Sequence, residues 1–472
     1  MTSGQTSDAE RVTVQPERAA ARRGWTYGLA RVIESLLVVA AIAGVRALMV
    51  ATTRLPNGDV TEYHNYALAF WTRAPLFTSL PKEYPPLAII PFTLTLLPSL
   101  KDPQAFQSVF AWWMGAVTLV GYLAFRRVSG WRRALAYLVY LLIGAAGTLV
   151  ARFDIFPALV TVFALWAAQR RRFNLAYLLL AAGVLLKLYP AFLIPLVAIE
   201  QWRAVAAANG ATSVWPERWN DWRGWLELQR WSRFAQAQAT RAAARGVALC
   251  LGVIVAGFLV ALALNPSGTL SEFQYAGARP LQIESTPAAL LWLGSLVGIP
   301  AHADFSYVSL NYVGPLDVVL KPLSTLALVA GCLWVYLRLA RGRLGLAQSF
   351  LALLCVITVT NKIFSPQYMI WVTPFVAEVY GFDLLWLLIC GLTTLIFPYL
   401  YALGKPIWVV PTVVKPFLPA IALRDGLMLA ATLRAILRPR ADAGARREAP
   451  ADIIVEATPL TPPNVAKVAR EH

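Results

Sequence analysis

The sequence predicts an all-α integral membrane protein, a multi-pass helical bundle of about twelve transmembrane helices, on three observations. Of 472 residues, 58% are hydrophobic and only 14% are charged, with a mean hydropathy of +0.57. An average soluble domain carries about 25% charged and about 45–50% apolar residues, so too little charge is present to cover this much apolar surface in water. Many of the apolar residues gather in runs near the roughly 20 that a helix needs to cross the bilayer core. The positive excess, +17 overall, sits in short stretches between the runs: Arg22-Arg23, Arg126-Arg127, Arg132-Arg133, Arg170-Arg171-Arg172 and Arg338 to Arg343. That pattern marks cytoplasmic loops. The charge therefore reads as topology, and nucleic acid is not an expected partner. The same composition excludes collagen-like, disordered and disulfide-scaffold classes.

Residues 1–30 are polar and basic and read as a cytoplasmic tail. The first span is expected over 31–51. Residues 52–103 are mixed, and the prolines at 85, 86, 91 and 98 break the only apolar stretch. Were that stretch to cross, the basic residues 126–133 would lie outside, against the charge rule. The sequence thus predicts one large first outer loop over 52–103, with an amphipathic helix near 62–73 and an interfacial or re-entrant piece near 86–100. The remaining spans are expected at 104–125, 134–151, 155–168, 174–187, 189–200, 247–264, 316–338, 346–361, 367–380, 384–399 and 416–437, with both termini cytoplasmic. Lys187-Leu188-Tyr189-Pro190 reads as a break between two half-depth helices. A single long bent helix would export the arginine-rich segment 201–245.

Segment 201–245 carries six of the seventeen tryptophans, Trp202, Trp215, Trp219, Trp222, Trp225 and Trp231. Trp215, Trp219, Trp222 and Leu226 recur at helical spacing among Arg218, Arg223 and Arg230. This suits a cytoplasmic interfacial insertion with its aromatics in the headgroups. The polar stretch 438–472 reads as a disordered cytoplasmic tail, which leaves 31–437 as the membrane domain. The four cysteines, Cys250, Cys332, Cys355 and Cys390, lie inside apolar runs with no zinc or redox spacing, and read as buried small side chains.

No P-loop, G-x-G-x-x-G, H-E-x-x-H or G-x-S-x-G is present. Topology instead collects charged groups on the outer side from distant parts of the chain. They are Asp59 with Glu62 and His64; Lys82-Glu83-Tyr84; Arg152-Phe153-Asp154; Lys187-Leu188-Tyr189; and Arg279 to Glu284 with Asn361-Lys362. Ionisable residues at membrane depth are costly and point to function.

Six motifs then carry a family resemblance. Gly58-Asp59, Glu83-Tyr84-Pro85-Pro86-Leu87, Arg152-Phe153-Asp154, Leu186-Lys187-Leu188-Tyr189-Pro190, Arg279-Pro280-Leu281-Gln282-Ile283-Glu284-Ser285 and Asn361-Lys362-Ile363-Phe364-Ser365-Pro366-Gln367-Tyr368 follow in order across roughly residues 55–370. Together they resemble glycosyltransferase family 87 of the GT-C superfamily, membrane proteins of the polyprenyl-phosphate-mannose-dependent alpha-mannosyltransferase kind. The long first outer loop resembles the GT-C plan as well.

The resemblance implies a polyprenyl-phosphate sugar donor, a glycolipid or glycan acceptor, and direct displacement with inversion at the outer face of the cytoplasmic membrane. It implies Asp59 as the general base; the alternative is a cap for a helix beginning at Val60. Asp154 is expected to orient the acceptor or to help a divalent cation; its alternatives are an ion pair with Arg152 or a helix cap. No other cofactor and no dedicated metal site is assigned. Lys187, Arg279 and Lys362 are expected at the lipid phosphate, against snorkelling to the interface. Glu284 is expected at sugar hydroxyls or paired with Arg279. Tyr189, Gln367 and Tyr368 are candidates at the substrate, and His64 at the acceptor, where a satisfied interfacial histidine is the alternative. Some family members carry histidines just after the late Ser-Pro, where this chain has Gln367-Tyr368-Met369-Ile370-Trp371. Mannose is therefore the leading candidate and not a fixed assignment. The competing readings are a transporter or flippase of lipid-linked sugars and a catalytically inactive scaffold. Transporters place broken helices in matching halves, whereas the interruptions here cluster in the first half.

Overall fold

Each of the twelve expected spans overlaps a helix, although residues 145–151 of the span expected at 134–151 form turns, because an apolar run satisfies its backbone internally while presenting side chains to neighbours or lipid. The computed structural model describes residues 9–53, 58–81, 83–208, 238–404 and 406–438, and of 9–27, 53 and 271–276 it describes only the backbone. Lys82, Trp215, Trp219, Trp222, Trp225 and Trp231 of the expected insertion, and the tail beyond 438, lie outside the described residues.

Among the described residues six helices are long and apolar enough to cross a membrane: Gly28–Thr52, Pro103–Val128, Tyr189–Ala208, Gln238–Leu264, Asp317–Ala340 and Leu384–Leu403. Others are shorter. Ile155–Gln169 and Phe173–Leu186 have 15 and 14 residues, or about 22 Å of rise against a bilayer core of about 30 Å. Phe417–Leu437 has 21 residues but carries Arg424, Asp425 and Arg434. Length and composition thus support six crossings, and the other expected spans lie on shorter or more polar helices.

Helix α1 runs Ala9–Thr53, so the stretch expected as a tail continues the first apolar helix at its N-terminal side. Helix α2 is Gly58–Thr72 and α3 is Ile89–Leu96, led in by a 3₁₀ turn at Pro86–Ala88. Helix α4, Pro103–Val128, is capped by Asp102, whose carboxylate accepts from the amides of Gln104 and Ala105. Gly130, at φ 90°, turns the chain into α5, Trp131–Gly144. Helices α6, Ile155–Gln169, and α7, Phe173–Leu186, follow. Lys187 is extended, and a 3₁₀ turn at Tyr189–Leu193 leads into α8, Ile194–Ala208. A Cβ on Gly183 would lie 3.2 Å from the Pro190 ring. In a straight helix seven residues rise about 10 Å, so the chain turns back at Lys187 and no single bent helix runs through it.

Helices α9, Gln238–Leu264, α10, Pro266–Ala278, and α11, Thr286–Ser295, precede a feature absent from the sequence reading. It is an antiparallel hairpin of β1, His302–Ser306, and β2, Ser309–Val313, paired from His302 with Val313 to Ser306 with Ser309. Tyr307 and Val308 form its two-residue turn at φ 55° and 52°, as such turns require. Residues 281–283 lie along β2, through Ile283 N–H to Leu310 O at 3.0 Å and Tyr312 N–H to Leu281 O at 2.9 Å. Helices α12, Asp317–Ala340, α13, Leu346–Thr360, α14, Met369–Tyr380, α15, Leu384–Thr394, and α16, Phe417–Leu437, complete the bundle.

The large core runs through α4 to α8 and α13 to α15. A second, smaller core gathers Leu281, Ile283, Leu310, Tyr312, Tyr401, Phe417 and Ile421. The four cysteines are buried and unpaired. At one end, Glu378 near the close of α14 accepts from Ser129 at 2.6 Å and pairs with Arg133 at 3.5 Å, beside the arginines of 126–133. The start of α6, the end of α7 and the start of α14 meet at the other end.

Candidate active site

Three chain turns bring the first-half motifs together. Arg152-Phe153-Asp154 is the turn that opens α6, Lys187 is the extended residue that ends α7, and Trp371 stands in the first turn of α14. Asp154 is fully buried. Its Oδ1 accepts from Lys187 Nζ at 2.6 Å and from Trp371 Nε1 at 2.7 Å, while its Oδ2 has no hydrogen-bond partner. The Lys187 ammonium is also ringed by aromatic faces, 5.0 Å from Phe153, 5.2 Å from Trp371 and 5.4 Å from Tyr84. Cation–π attraction strengthens where water is excluded. Trp371 in turn stacks between Tyr189, centroids 4.4 Å apart, and Tyr368, 4.0 Å apart. Tyr63, Tyr84, Phe92 and Phe153 pack edge to face and stacked behind this group.

Asp59 occupies the first turn of α2 and makes an ion pair with Arg152. The Asp59 side chain keeps 42% of its surface. Burial lowers the Arg152 guanidinium to about 10, opposed by the charge of Asp154. The pairing differs from the one weighed from sequence. Arg152 reaches Asp59 and not Asp154, and Asp154 makes no helix-cap hydrogen bond. Asp59 lies inside its helix, which begins at Gly58, rather than ahead of it.

The late motifs form a second group. The Lys362 Nζ donates to Gly277 O at 2.8 Å, and the Gln282 amide donates to Lys362 O at 2.9 Å. Burial lowers the Lys362 pKa, and the nearby charges of Lys321 and Arg279 lower it further. The Glu83 carboxyl is raised, first by desolvation; Arg279 opposes this and Glu62 adds to it. Arg279 thus lies within electrostatic reach of both Glu83 and Lys362. The Gln367 Oε1 is buried without a hydrogen-bond partner.

Two expected residues stand elsewhere. Glu284 is 2% exposed and both its carboxylate oxygens are occupied, by Tyr401 at 3.1 Å and by Arg424 at 3.0 Å. Its cation is Arg424, not Arg279. His64 is buried against Phe106, and its Nε2 meets Lys101 O at 2.9 Å. Among the described residues no group of three or more His, Cys, Asp or Glu side chains could hold a metal ion. Trp371 and Arg424 escaped the sequence reading. A lone Arg-Asp pair inside the apolar stretch 416–437 was the signal for Arg424; nothing in the sequence ties Trp371 to Asp154.

Residues 83–215 match the family model described as glycosyltransferase family 87. The matched stretch contains Glu83-Tyr84, the Asp154 turn and the Lys187 break; Asp59 and the late motifs lie outside it. The match indicates a membrane glycosyltransferase, and the helical, apolar architecture is consistent with the GT-C plan. No curated protein matches the chain.

Proposed function

We propose that the protein moves a sugar, with mannose the leading candidate, from a polyprenyl-phosphate donor to a hydroxyl of a glycolipid or glycan. The acceptor oxygen bonds to the anomeric carbon, the bond from that carbon to the phosphate oxygen breaks, and the configuration inverts. Asp59 takes the acceptor proton, and the polyprenyl phosphate leaves with the electron pair. The reacting end of the bundle faces the outer leaflet of the cytoplasmic membrane, and both termini are cytoplasmic, following the arginine-rich opposite end.

The observation that carries this reading is the solvent-reachable Asp59 carboxylate, fixed by Arg152 two residues before the buried Asp154–Lys187 pair. Asp154 cannot readily serve as base: it is buried and its Oδ1 is doubly bonded. It acts instead by holding Lys187. Lys187 is held by that carboxylate, and Arg279 and Lys362 are assigned as the cations for the departing phosphate, whose charge grows in the transition state. Tyr189, Tyr368 and Gln367 are assigned to the sugar, supported by the stacking of both tyrosines on Trp371 and by the buried Gln367 Oε1 without a hydrogen-bond partner.

The test is transfer by purified protein in vesicles, given radiolabelled polyprenyl-phosphate mannose and a native lipid extract. Labelled lipid or glycan from the wild type, and none from Asp59→Asn, is the expected result. A protein that binds no polyprenyl-phosphate sugar would overturn the reading.

A further inference from the structure

We infer that Arg424 is a positioning residue that fastens segments 279–285 and 361–368 into one unit, an inference that rests on the transferase reading above. Arg424 lies within α16 and is fully buried. A guanidinium in such a place is tolerated only when its donors are engaged. All three nitrogens are. Nε donates to Asp425 Oδ1 at 3.0 Å, Nη1 to Glu284 Oε2 at 3.0 Å, and Nη2 to the main-chain oxygen of Glu284. The plane of the group lies on the Phe364 ring, 4.0 Å from its centroid.

One side chain therefore grips the main chain and side chain of residue 284 and the ring of residue 364. Glu284 follows Arg279 by five residues, and Phe364 follows Lys362 by two. The segments also touch directly, through the Gln282 amide on Lys362 O at 2.9 Å. The two cations proposed for the phosphate thus share one anchor in the last helix. A planar fork with donors on several edges suits this task, and an ammonium cannot reproduce it. None of the hydrogen bonds or ring contacts of Arg424 involves Asp59, Lys362 or Arg279, so it acts through the segments it holds.

The test is steady-state kinetics on the full chain in vesicles with a polyprenyl-phosphate sugar donor, comparing wild type, Arg424→Lys and Phe364→Leu. Arg424→Lys should raise the donor KM about tenfold with kcat little changed, since small displacements of binding groups are costly. Phe364→Leu should shift KM in the same direction and covers the case in which Arg424→Lys fails to fold. Wild-type KM in Arg424→Lys, or in Phe364→Leu where only that variant folds, overturns the inference. Absence of transfer by the wild type counts against the transferase reading alone. The coupling is then read from the thiol-labelling rate of Lys362→Cys, which should change several-fold when Arg424→Lys is added; an unchanged rate overturns the inference.

Discussion

Two buried ion-pair groups among the described residues hold their cations in different ways. At Arg424 every guanidinium nitrogen is engaged and both oxygens of Glu284 are occupied, while Oδ2 of the buried Asp425 has no hydrogen-bond partner. At Asp154 one oxygen carries two hydrogen bonds and the other carries none, beside an ammonium faced by three aromatic rings. Each group thus leaves one carboxylate oxygen without a hydrogen bond, and the cation is what differs: a fork spread over two carboxylates and a main-chain oxygen, against an ammonium paired with one carboxylate among rings. The two groups therefore differ in how many chain segments the cation joins, although both sets of carboxylates looked alike in the sequence.

The contrast is broken most directly at Asp59. Asp59→Asn should lower transfer by about 10²–10⁴-fold, the range of a lost general base, with an unchanged thermal unfolding profile; near-normal turnover would remove the base assignment. The next largest effect concerns the buried pair itself. Lys187→Met leaves Asp154 uncompensated and should destabilise the protein by about 3–5 kcal/mol, measured as a drop in Tm in detergent. Adding Asp154→Asn should recover part of that loss, and a purely additive double variant would mean the pair is not coupled. A smaller effect is expected in the pH profile. Burial and neighbouring cations lower the Lys362 pKa, so it loses its proton at a lower pH than an ordinary lysine does, and donor KM should begin to climb there as pH rises. In Lys362→Arg the climb should move to higher pH; the same profile in both would separate Lys362 from the phosphate. The smallest effect is expected at His64, whose ring is buried and bonded to Lys101 O. His64→Gln should cost about 0.5–1.5 kcal/mol of stability, the worth of one hydrogen bond, and leave kcat nearly unaltered. A large loss of kcat would return His64 to the acceptor site.

The helices were legible because apolar length and arginine placement are one-dimensional properties. The proline-broken stretch after residue 85 was legible for the same reason, and it forms only Pro86–Ala88 and Ile89–Leu96. The hairpin at 302–313 was not, since its alternation is short and lies among longer apolar runs. Partner choice was the larger gap. Arg152 and Asp154 are two residues apart, yet they stand in a turn and reach different partners, Asp59 and Lys187. Glu284 similarly meets Arg424, 140 residues away, rather than Arg279. Such pairings follow from how helices dock, which motif spacing does not encode.

The Arg424 anchor also bears on how this chain can change over generations. Losing Arg424 alone strands two buried carboxylates, those of Glu284 and Asp425, and losing Glu284 alone strands part of a buried guanidinium. Each single step is a descent in fitness, while a joint exchange of Arg424, Glu284 and Asp425 for well-packed apolar residues need not be. Positions 284, 424 and 425 should therefore be inherited as one character, retained together or replaced together, in any descendant that keeps the bundle.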